Sequence, residues 1–545
     1  MYDLKNKVVF ITGAANGVGA GVVRMLLEEG VKHVAVLDIA EETGLALQEE
    51  LNAKYGAGKL KFYHCDVTNE EQFLGTMAAV KEDQEYIDLV INNAGIMNDS
   101  LQTFKKEILI NVLALVTGSI RALELMRKDE GGRGGTIINI ASTAALCQMP
   151  GLPVYWATKS ALDEYYNRTD VRVLTVCFGP TDTALLSPQK LGSFDTFTDA
   201  NLGEWMTSTP AQKMESAAKG VIDAYKFGKS GSTWLATRDE EPKDITADIK
   251  KAYEAKFYRV DVTNDEQLFA AFYATAGEQE GLDLVVNNAG IMNDAPHIYK
   301  KEIGINVHVA ILDIDEAAGI AYQKELTSKY GTGKAQFYRV DVTNDEQLFA
   351  AFYATAESQG GLDLVINNAG IMNDAPHIYK KEIAINVTAL ITSTLKALEL
   401  MRKDDGGKGG TVINIASIAG LCQMSIMPIY WATKSAVIQF SNCIGKEDYY
   451  EKTGVRVVTV CYGATATALI ASENLGSLDT NLDGENVASI IKDHDIQRAE
   501  SAAKGVIDAY KMGASGSTWV ASRDQPAVDI TDNVNRAYDI LGEHN

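Results

Sequence analysis

The chain has 545 residues, room for two or more domains with cores of their own, and its 46% hydrophobic and 23% charged content is that of a globular protein rather than a disordered one. A formal net charge of -23 argues against a nucleic-acid or anionic-membrane partner, since the summed field would repel either. Six cysteines without a CxxC pair and seven histidines without ligand spacing point to a reducing, cytoplasmic setting and to no metal site.

From the N-terminus, short β-branched runs alternate with helical patterns. Val8 to Thr12 reads as a strand, Val22 to Glu29 as a helix, His33 to Asp38 as a strand, Glu41 to Lys54 as a helix and Lys61 to Asp66 as a third strand. Leu89 to Asn93, Thr136 to Ser142 and Val171 to Cys177 follow as strands four to six. Repeated β-α order predicts an α/β, Rossmann-like, doubly wound parallel sheet, and burial on both faces explains why these strands are continuously apolar. Residues 7 to 23 are interrupted by Gly and Asn and read as strand and helix, not as a signal peptide. No run of about 18 apolar residues is evident, so no membrane-spanning helix is expected.

Comparison of the chain with itself gives three pieces. Residues 1–253 form a nearly full unit. Residues 308–545 form a second, which begins at His308 to Asp313, the counterpart of His33 to Asp38, and lacks the normal first strand and its glycine turn. Between them, 254–307 is a partial strand-helix-strand repeat in which Phe257 to Ala276 is identical to Phe337 to Ala356. Leu284 to Asn288 is the segment able to stand in as the missing strand. The first unit has a nine-residue deletion after Ala161 relative to Val437 to Gly445 of the second. That loss shortens the following helix by about 2.5 turns and rotates its far end by half a turn.

Two constellations carry chemistry. Gly13, Gly17 and Gly19, with Ala14, Ala15, Asn16 and Val18 between them, join a strand to a helix start, where bare backbone approaches a pyrophosphate and the helix N-terminus attracts it. Asp38, at the end of the next strand, is placed to accept from both ribose hydroxyls and to repel a 2'-phosphate, which selects NAD over NADP. Ser142, Tyr155 and Lys159 recur 275 residues later as Ser417, Tyr430 and Lys434. Tyrosine and lysine at i and i+4 share a helix face, where an ammonium is expected to acidify the phenol while the serine holds a substrate oxygen.

With these motifs in hand, the chain resembles the short-chain dehydrogenase/reductase family over almost its full length. The matching residues are Thr12-Gly13 to Gly19, Asp66-Val67, Asn92-Asn93-Ala94-Gly95, Asn111, Ser142 and Tyr155 to Lys159. Leu125 to Lys128, Gly131 to Gly135 and Asp38 make it similar to NAD-dependent 15-hydroxyprostaglandin dehydrogenases and insect alcohol dehydrogenases, which oxidise secondary alcohols. The resemblance implies that Asp66 and Val67 border the adenine, that Asn93, Ala94 and Gly95 line the nucleotide cleft, and that Thr183 meets the nicotinamide amide. Asn111 would anchor a water relaying the proton from Lys159. In the second unit Asp313, Asp341, Val342, Asn368, Asn386, Ser417, Tyr430, Lys434 and Thr467 take the matching positions. The family's Pro-Gly after strand six is replaced by Phe178-Gly179 and Tyr462-Gly463, which implies a looser loop beside the nicotinamide. Pairing through the helix after the lysine is implied as well, as an intrachain pseudo-dimer or a homo-oligomer.

The expected activity is hydride transfer between NAD and a small-molecule secondary alcohol or its ketone, a hydroxylated or prostaglandin-like lipid being within the class, with the second unit impaired. Leu185, Leu186, Trp205 and Met206, in the stretch where the family carries its substrate lid, suit a medium-sized apolar alcohol. The competing readings are a catalytically weak pseudoenzyme that binds or stores a ligand, and a mis-joined gene model.

Overall fold

The computed structural model describes residues 2–148, 151–160, 170–187, 190–194, 210–256, 283–287, 308–422, 426–478, 484–492 and 496–542. Its backbone divides into two units, residues 1–252 with 538–545, and residues 253–537. The nine-residue difference after Ala161 lies outside the described residues, as does most of the partial repeat.

In the first unit, β1 (Val8–Thr12), β2 (His33–Asp38), β3 (Leu60–His64), β4 (Leu89–Asn92), β5 (Gly135–Ser142), β6 (Val171–Phe178), β7 (Ser232–Ala236) and β8 (Lys243–Asp244) form one sheet in the order β3-β2-β1-β4-β5-β6-β7-β8. All neighbours are parallel except β7 and β8. The chain reaches this order through the helices α1 (Gly17–Glu28), α2 (Glu41–Tyr55), α3 (Glu70–Gln84), α4 (Phe104–Met126), α5 (Pro153–Ser160), α6 (Met214–Phe227) and α7 (Thr246–Lys256).

Strand side chains alternate between two cores, as a period of two requires. Val9, Ile11, Val34 and Val36 pack with Val22, Val23 and Leu26 of α1 and Ala217 and Val221 of α6. Val8, Phe10, Ala35 and Leu37 pack on the other face with Phe73, Met77 and Val80 of α3 and Ala122, Leu123 and Met126 of α4. Both faces are therefore covered, and the apolar runs read from the sequence are explained by burial on both sides.

The second unit repeats this architecture with a substitution at its centre. Its strands β9 (Asp283–Asn287), β10 (His308–Asp313), β11 (Ala335–Arg339), β12 (Leu364–Asn367), β13 (Gly410–Ser417), β14 (Val455–Tyr462), β15 (Thr518–Ala521) and β16 (Val528–Asp529) run in the order β11-β10-β9-β12-β13-β14-β15-β16. The partial repeat thus supplies the strand that occupies the place of β1. The register is conserved too: Val8 pairs with His33 in the first sheet, and Asp283 pairs with His308 in the second, each across the same interval. On its other side β9 lies against β12, Leu284 to Asn287 opposite Leu364 to Asn367.

Two helices correct the expectation about membrane spans. Phe104–Met126 and Tyr379–Met401 are each 23 residues long and apolar enough to cross a bilayer by length and composition. Each is a core helix of its unit instead, and each carries a buried glutamate, Glu107 or Glu382, and a buried asparagine, Asn111 or Asn386.

Candidate active site

The predicted residues of the first unit gather at the C-terminal edge of its sheet, around the point where strand order reverses between β1 and β4. Gly13 and Gly17 have φ of +64° and +54°, left-handed values that favour glycine. A Cβ on Gly13 would stand 2.6 Å from Ala94 Cα, and one on Gly19 would stand 2.6 Å from the Gly13 carbonyl oxygen. The turn is bare because side chains would not fit. It leads into α1, whose first turn receives no side-chain cap from Asn16, and Val18 follows within that turn, partly buried.

Neighbouring side chains hold this cradle in shape. Asn93 Nδ2 donates to the carbonyls of Thr12 and Gly13 at 3.0 and 2.8 Å, while the Thr12 hydroxyl accepts from the amides of Asn93 and Ala94. Asp38 is part of the same scaffold. Its Oδ2 accepts from the Ala15 amide at 3.0 Å and its Oδ1 from Ala40 at 3.0 Å, so one carboxylate ties the glycine turn to the end of β2. Asp66 accepts from the Thr68 amide and hydroxyl, and Val67 packs on the core beneath. The Thr183 methyl lies opposite Gly17, 3.4 Å from where a Cβ would be. A dinucleotide fits these residues: a side-chain-free turn leads into the uncapped N-terminus of α1, and a carboxylate stands one strand away.

Beside the cradle, Ser142 closes β5, its Oγ accepting from the Ala144 amide at 3.1 Å. Tyr155 and Lys159 are both buried on α5, and Lys159 Nζ lies 5.7 Å from the phenol ring centre and donates to the Ile140 carbonyl at 3.4 Å. Asn111 occupies a π-helical turn within α4, Leu109–Ala114, a local widening that recurs at functional sites. Its Oδ1 accepts from the Ile96 amide at 2.9 Å, and its Nδ2 donates to the Ile96 carbonyl and to Thr158 Oγ1. A Cβ on Gly95 would lie 3.2 Å from Asn111 Oδ1 and 3.3 Å from Lys159 Nζ, so Gly95 is the gap through which these two polar groups converge.

The electrostatics correct one expectation. Burial pushes the Tyr155 phenol up, the Ser142 hydroxyl works against that rise, and the buried carboxyls of Glu107 and Asp99 add to it. Burial also pushes the Lys159 ammonium down to about 8, with Glu107 opposing. In the folded chain alone the phenol is therefore not acidified, because desolvation of a buried phenolate outweighs what the Ser142 hydroxyl returns.

The residues missed by sequence reasoning lie just behind this cluster. Asp99 Oδ2 and Oδ1 accept from the amides of Val154 and Tyr155 at 2.6 and 3.0 Å, fixing the start of α5. Glu107 stands beside Asp99, both fully buried, with Oε1 accepting from the Asn98 amide at 3.2 Å. Gln212 overturns the looser loop after β6: its Nε2 donates to the Ala236 carbonyl at 2.8 Å and to Thr181 Oγ1, and its backbone bonds Pro180 and Asp182. A side-chain staple replaces the missing Pro-Gly stiffness.

In the second unit the catalytic cluster is reproduced closely. Lys434 Nζ lies 5.7 Å from the Tyr430 ring and donates to the Ile415 carbonyl at 3.3 Å, Ser417 Oγ accepts from Ala419, and Asn386 bonds Ile371 and Thr433. Asp341 is held by Thr343, Val342 is buried, Asn368 follows β12, and Thr467 Oγ1 donates to the Thr465 carbonyl. The nucleotide side differs. Asp313 is only 3% exposed, and burial pushes its carboxyl up to about 6, with the Asp315 amide opposing. In the register of β9, the positions of Gly13, Gly17 and Gly19 fall to Asn288, Met292 and Asp294, which lie outside the described residues.

The family model for short chain dehydrogenases matches residues 7–192 and again 297–477. The chain belongs to the short-chain dehydrogenase family. A second model, described as enoyl-(acyl carrier protein) reductase, matches residues 220–305. Rat 15-hydroxyprostaglandin dehydrogenase [NAD(+)] is 30% identical over 229 residues, 40% of this chain and 82% of the rat protein. Alcohol dehydrogenase 1 of Ceratitis capitata is 31% identical over 210 residues, 38% of this chain and 79% of that enzyme. Among solved structures, the C-domain of bacterial malonyl-CoA reductase with NADP covers 90% of this chain and 94% of its own at a TM-score of 0.61 and 13% identity, a likeness of fold alone.

Proposed function

We propose that the first unit transfers a hydride between a secondary alcohol and NAD, with Tyr155 as the acid-base group, and that the second unit does not take the cofactor. The observation that carries this reading is the placement of Ser142, Tyr155 and Lys159 beside a glycine cradle tied to Asp38. The 15-hydroxyprostaglandin dehydrogenases among the relatives are named for NAD(+), and a carboxylate at Asp38 disfavours a 2'-phosphate.

When bound, NAD supplies the hydride acceptor and a positive nicotinamide ring, the charge that the buried phenol lacks in the chain alone. Ser142 holds the substrate oxygen. Tyr155, as phenolate, takes the hydroxyl proton while the carbinol hydride departs and the C–O bond becomes a carbonyl. Lys159 and Asn111 then return the phenol's proton toward solvent. Burial of this cluster excludes competing water and strengthens each of these interactions.

The second unit keeps the catalytic residues, yet counting on from β9 the sequence has Asn288, Met292 and Asp294 in place of Gly13, Gly17 and Gly19, of which Gly13 and Gly19 have no room for a Cβ against backbone. A closed Asp313 supports the same reading. This unit is proposed as a cofactor-free pseudoenzyme joined to an active one. NAD reduction with a panel of secondary alcohols tests both parts. Tyr155→Phe should lower turnover roughly a hundredfold or more, the scale of a lost general acid-base group, while Tyr430→Phe should leave the rate unchanged. Unaltered turnover in Tyr155→Phe would end the assignment.

A further inference from the structure

Two buried carboxyls stand behind the catalytic helix with no role in the steps above. Asp99 and Glu107 are both 0% exposed. Asp99 is satisfied as an anion, because its two oxygens accept from the Val154 and Tyr155 amides at 2.6 and 3.0 Å. Glu107 is different: Oε1 accepts from Asn98, but Oε2 is buried and meets no donor. A buried carboxylate oxygen without a donor is costly, and two carboxylates side by side cannot both ionise. The cost vanishes if Glu107 carries a proton and gives it to Asp99. The second unit repeats every part: Asp374 accepts from Ile429 and Tyr430 at 2.7 and 3.0 Å, and Glu382 accepts from Asn373 while its Oε2 meets no donor.

We propose that Asp99 and Glu107 are positioning residues for Tyr155, sharing one proton so that a single buried negative charge fixes the start of the catalytic helix and faces the phenol. The inference rests on the proposed dehydrogenase reading for its kinetic consequence, but the shared proton stands independently of it. The groups facing the pair are Tyr155 and Lys159, and Cys177 at the end of β6 faces Lys159 from the sheet. Burial and the Asp99 charge hold the Glu107 carboxyl well above the usual carboxylate range, the direction that the shared proton requires.

The test uses the full chain. At pH 8, where exposed carboxyls are ionised, the infrared spectrum should show the C=O stretch of a protonated carboxylic acid, diminished in Glu107→Gln and lost in Glu107→Gln/Glu382→Gln. Absence of that band from the wild-type protein overturns the proposal, whatever the enzyme assays give. In NAD reduction, Glu107→Gln keeps a neutral donor and should stay within about twofold of wild type at every pH. Asp99→Asn removes the charge and one amide acceptor. Its kcat should fall by about tenfold, and the acidic limb of its pH profile should move to lower pH by about half a unit or more, because Tyr155 loses a nearby negative charge that opposes the phenolate. A wild-type profile in Asp99→Asn, or an equal loss in Glu107→Gln, also overturns it. If Asp99→Asn does not fold, the infrared comparison of the glutamine variants decides alone. Inactive wild-type protein that retains the band would instead sink the dehydrogenase reading and leave the shared proton intact.

Discussion

Gly19 and Asp313 are single residues at which the two units part company. In the first unit a methyl at position 19 would press within 2.6 Å of the Gly13 carbonyl and 2.7 Å of Ala14 Cα, both backbone, which cannot step aside as a flexible side chain would. Gly19→Ala should therefore weaken NAD binding by roughly tenfold or more, the cost of a forced backbone shift, measured by fluorescence titration. In the second unit, Asp313 is a carboxyl whose pKa rises on folding to about 6 from 3.8. Its favourable contribution is present below the unfolded value and is lost as pH climbs through the folded one, so above about 6 the fold carries a disfavoured charge. Asp313→Asn should stabilise the chain by about 2 kcal/mol at pH 8 and by almost nothing at pH 4. Equal effects at both pH values in denaturant titrations would contradict the burial argument. The glycines and Asp38 were legible in the sequence because phosphate and ribose chemistry demands those types at those intervals. Asp99 and Glu107 were not, since an acid two residues from Lys105 reads as part of a solvated face, and only the folded chain shows both carboxyls sealed. Their recurrence as Asp374 and Glu382 was the available signal.

Elements show the same division between what spacing announces and what packing decides. Six strands of the first unit follow from continuous β-branched runs and the parallel sheet from the β-α alternation, whereas the strand order and the strands β7 and β8 were not read from the sequence. Nor was the loop after β6. Gln212 bonds the Ala236 carbonyl, 24 residues further on, and the bond exists only once β6 and β7 lie side by side. Removing that amide group leaves the Ala236 carbonyl with the Gly179 amide as its donor and the Thr181 hydroxyl oxygen without the Gln212 one. Gln212→Ala should cost about 1–3 kcal/mol of stability and speed hydrogen exchange at Asp182, whose amide bonds the Gln212 carbonyl. A variant with wild-type exchange there would show that the staple is dispensable. The catalytic helix teaches a related lesson: as far as Lys159 it keeps the distances of its counterpart in the second unit.

At the scale of the whole molecule, the described residues of one chain carry two catalytic clusters and one glycine cradle. Titration of the 59.0 kDa protein should therefore saturate at one NAD per chain, and Gly19→Ala should weaken that single site. Two equivalent sites would refute the assignment of the second unit. The sequence revealed the duplication and its truncated second copy, and the sheet shows how the loss is tolerated: a borrowed segment serves as central strand because its distance to the next strand is the normal one. That repair carries a hazard for assembly. Asp283–Asn287 reads DLVVN and lies against Leu364–Asn367, LVIN, so a collapsing polypeptide meets two near-twins competing for the middle of one sheet. Pairing on the wrong twin would have to be undone before the sheet could close, so refolding of the full chain from denaturant is expected to show a slow phase.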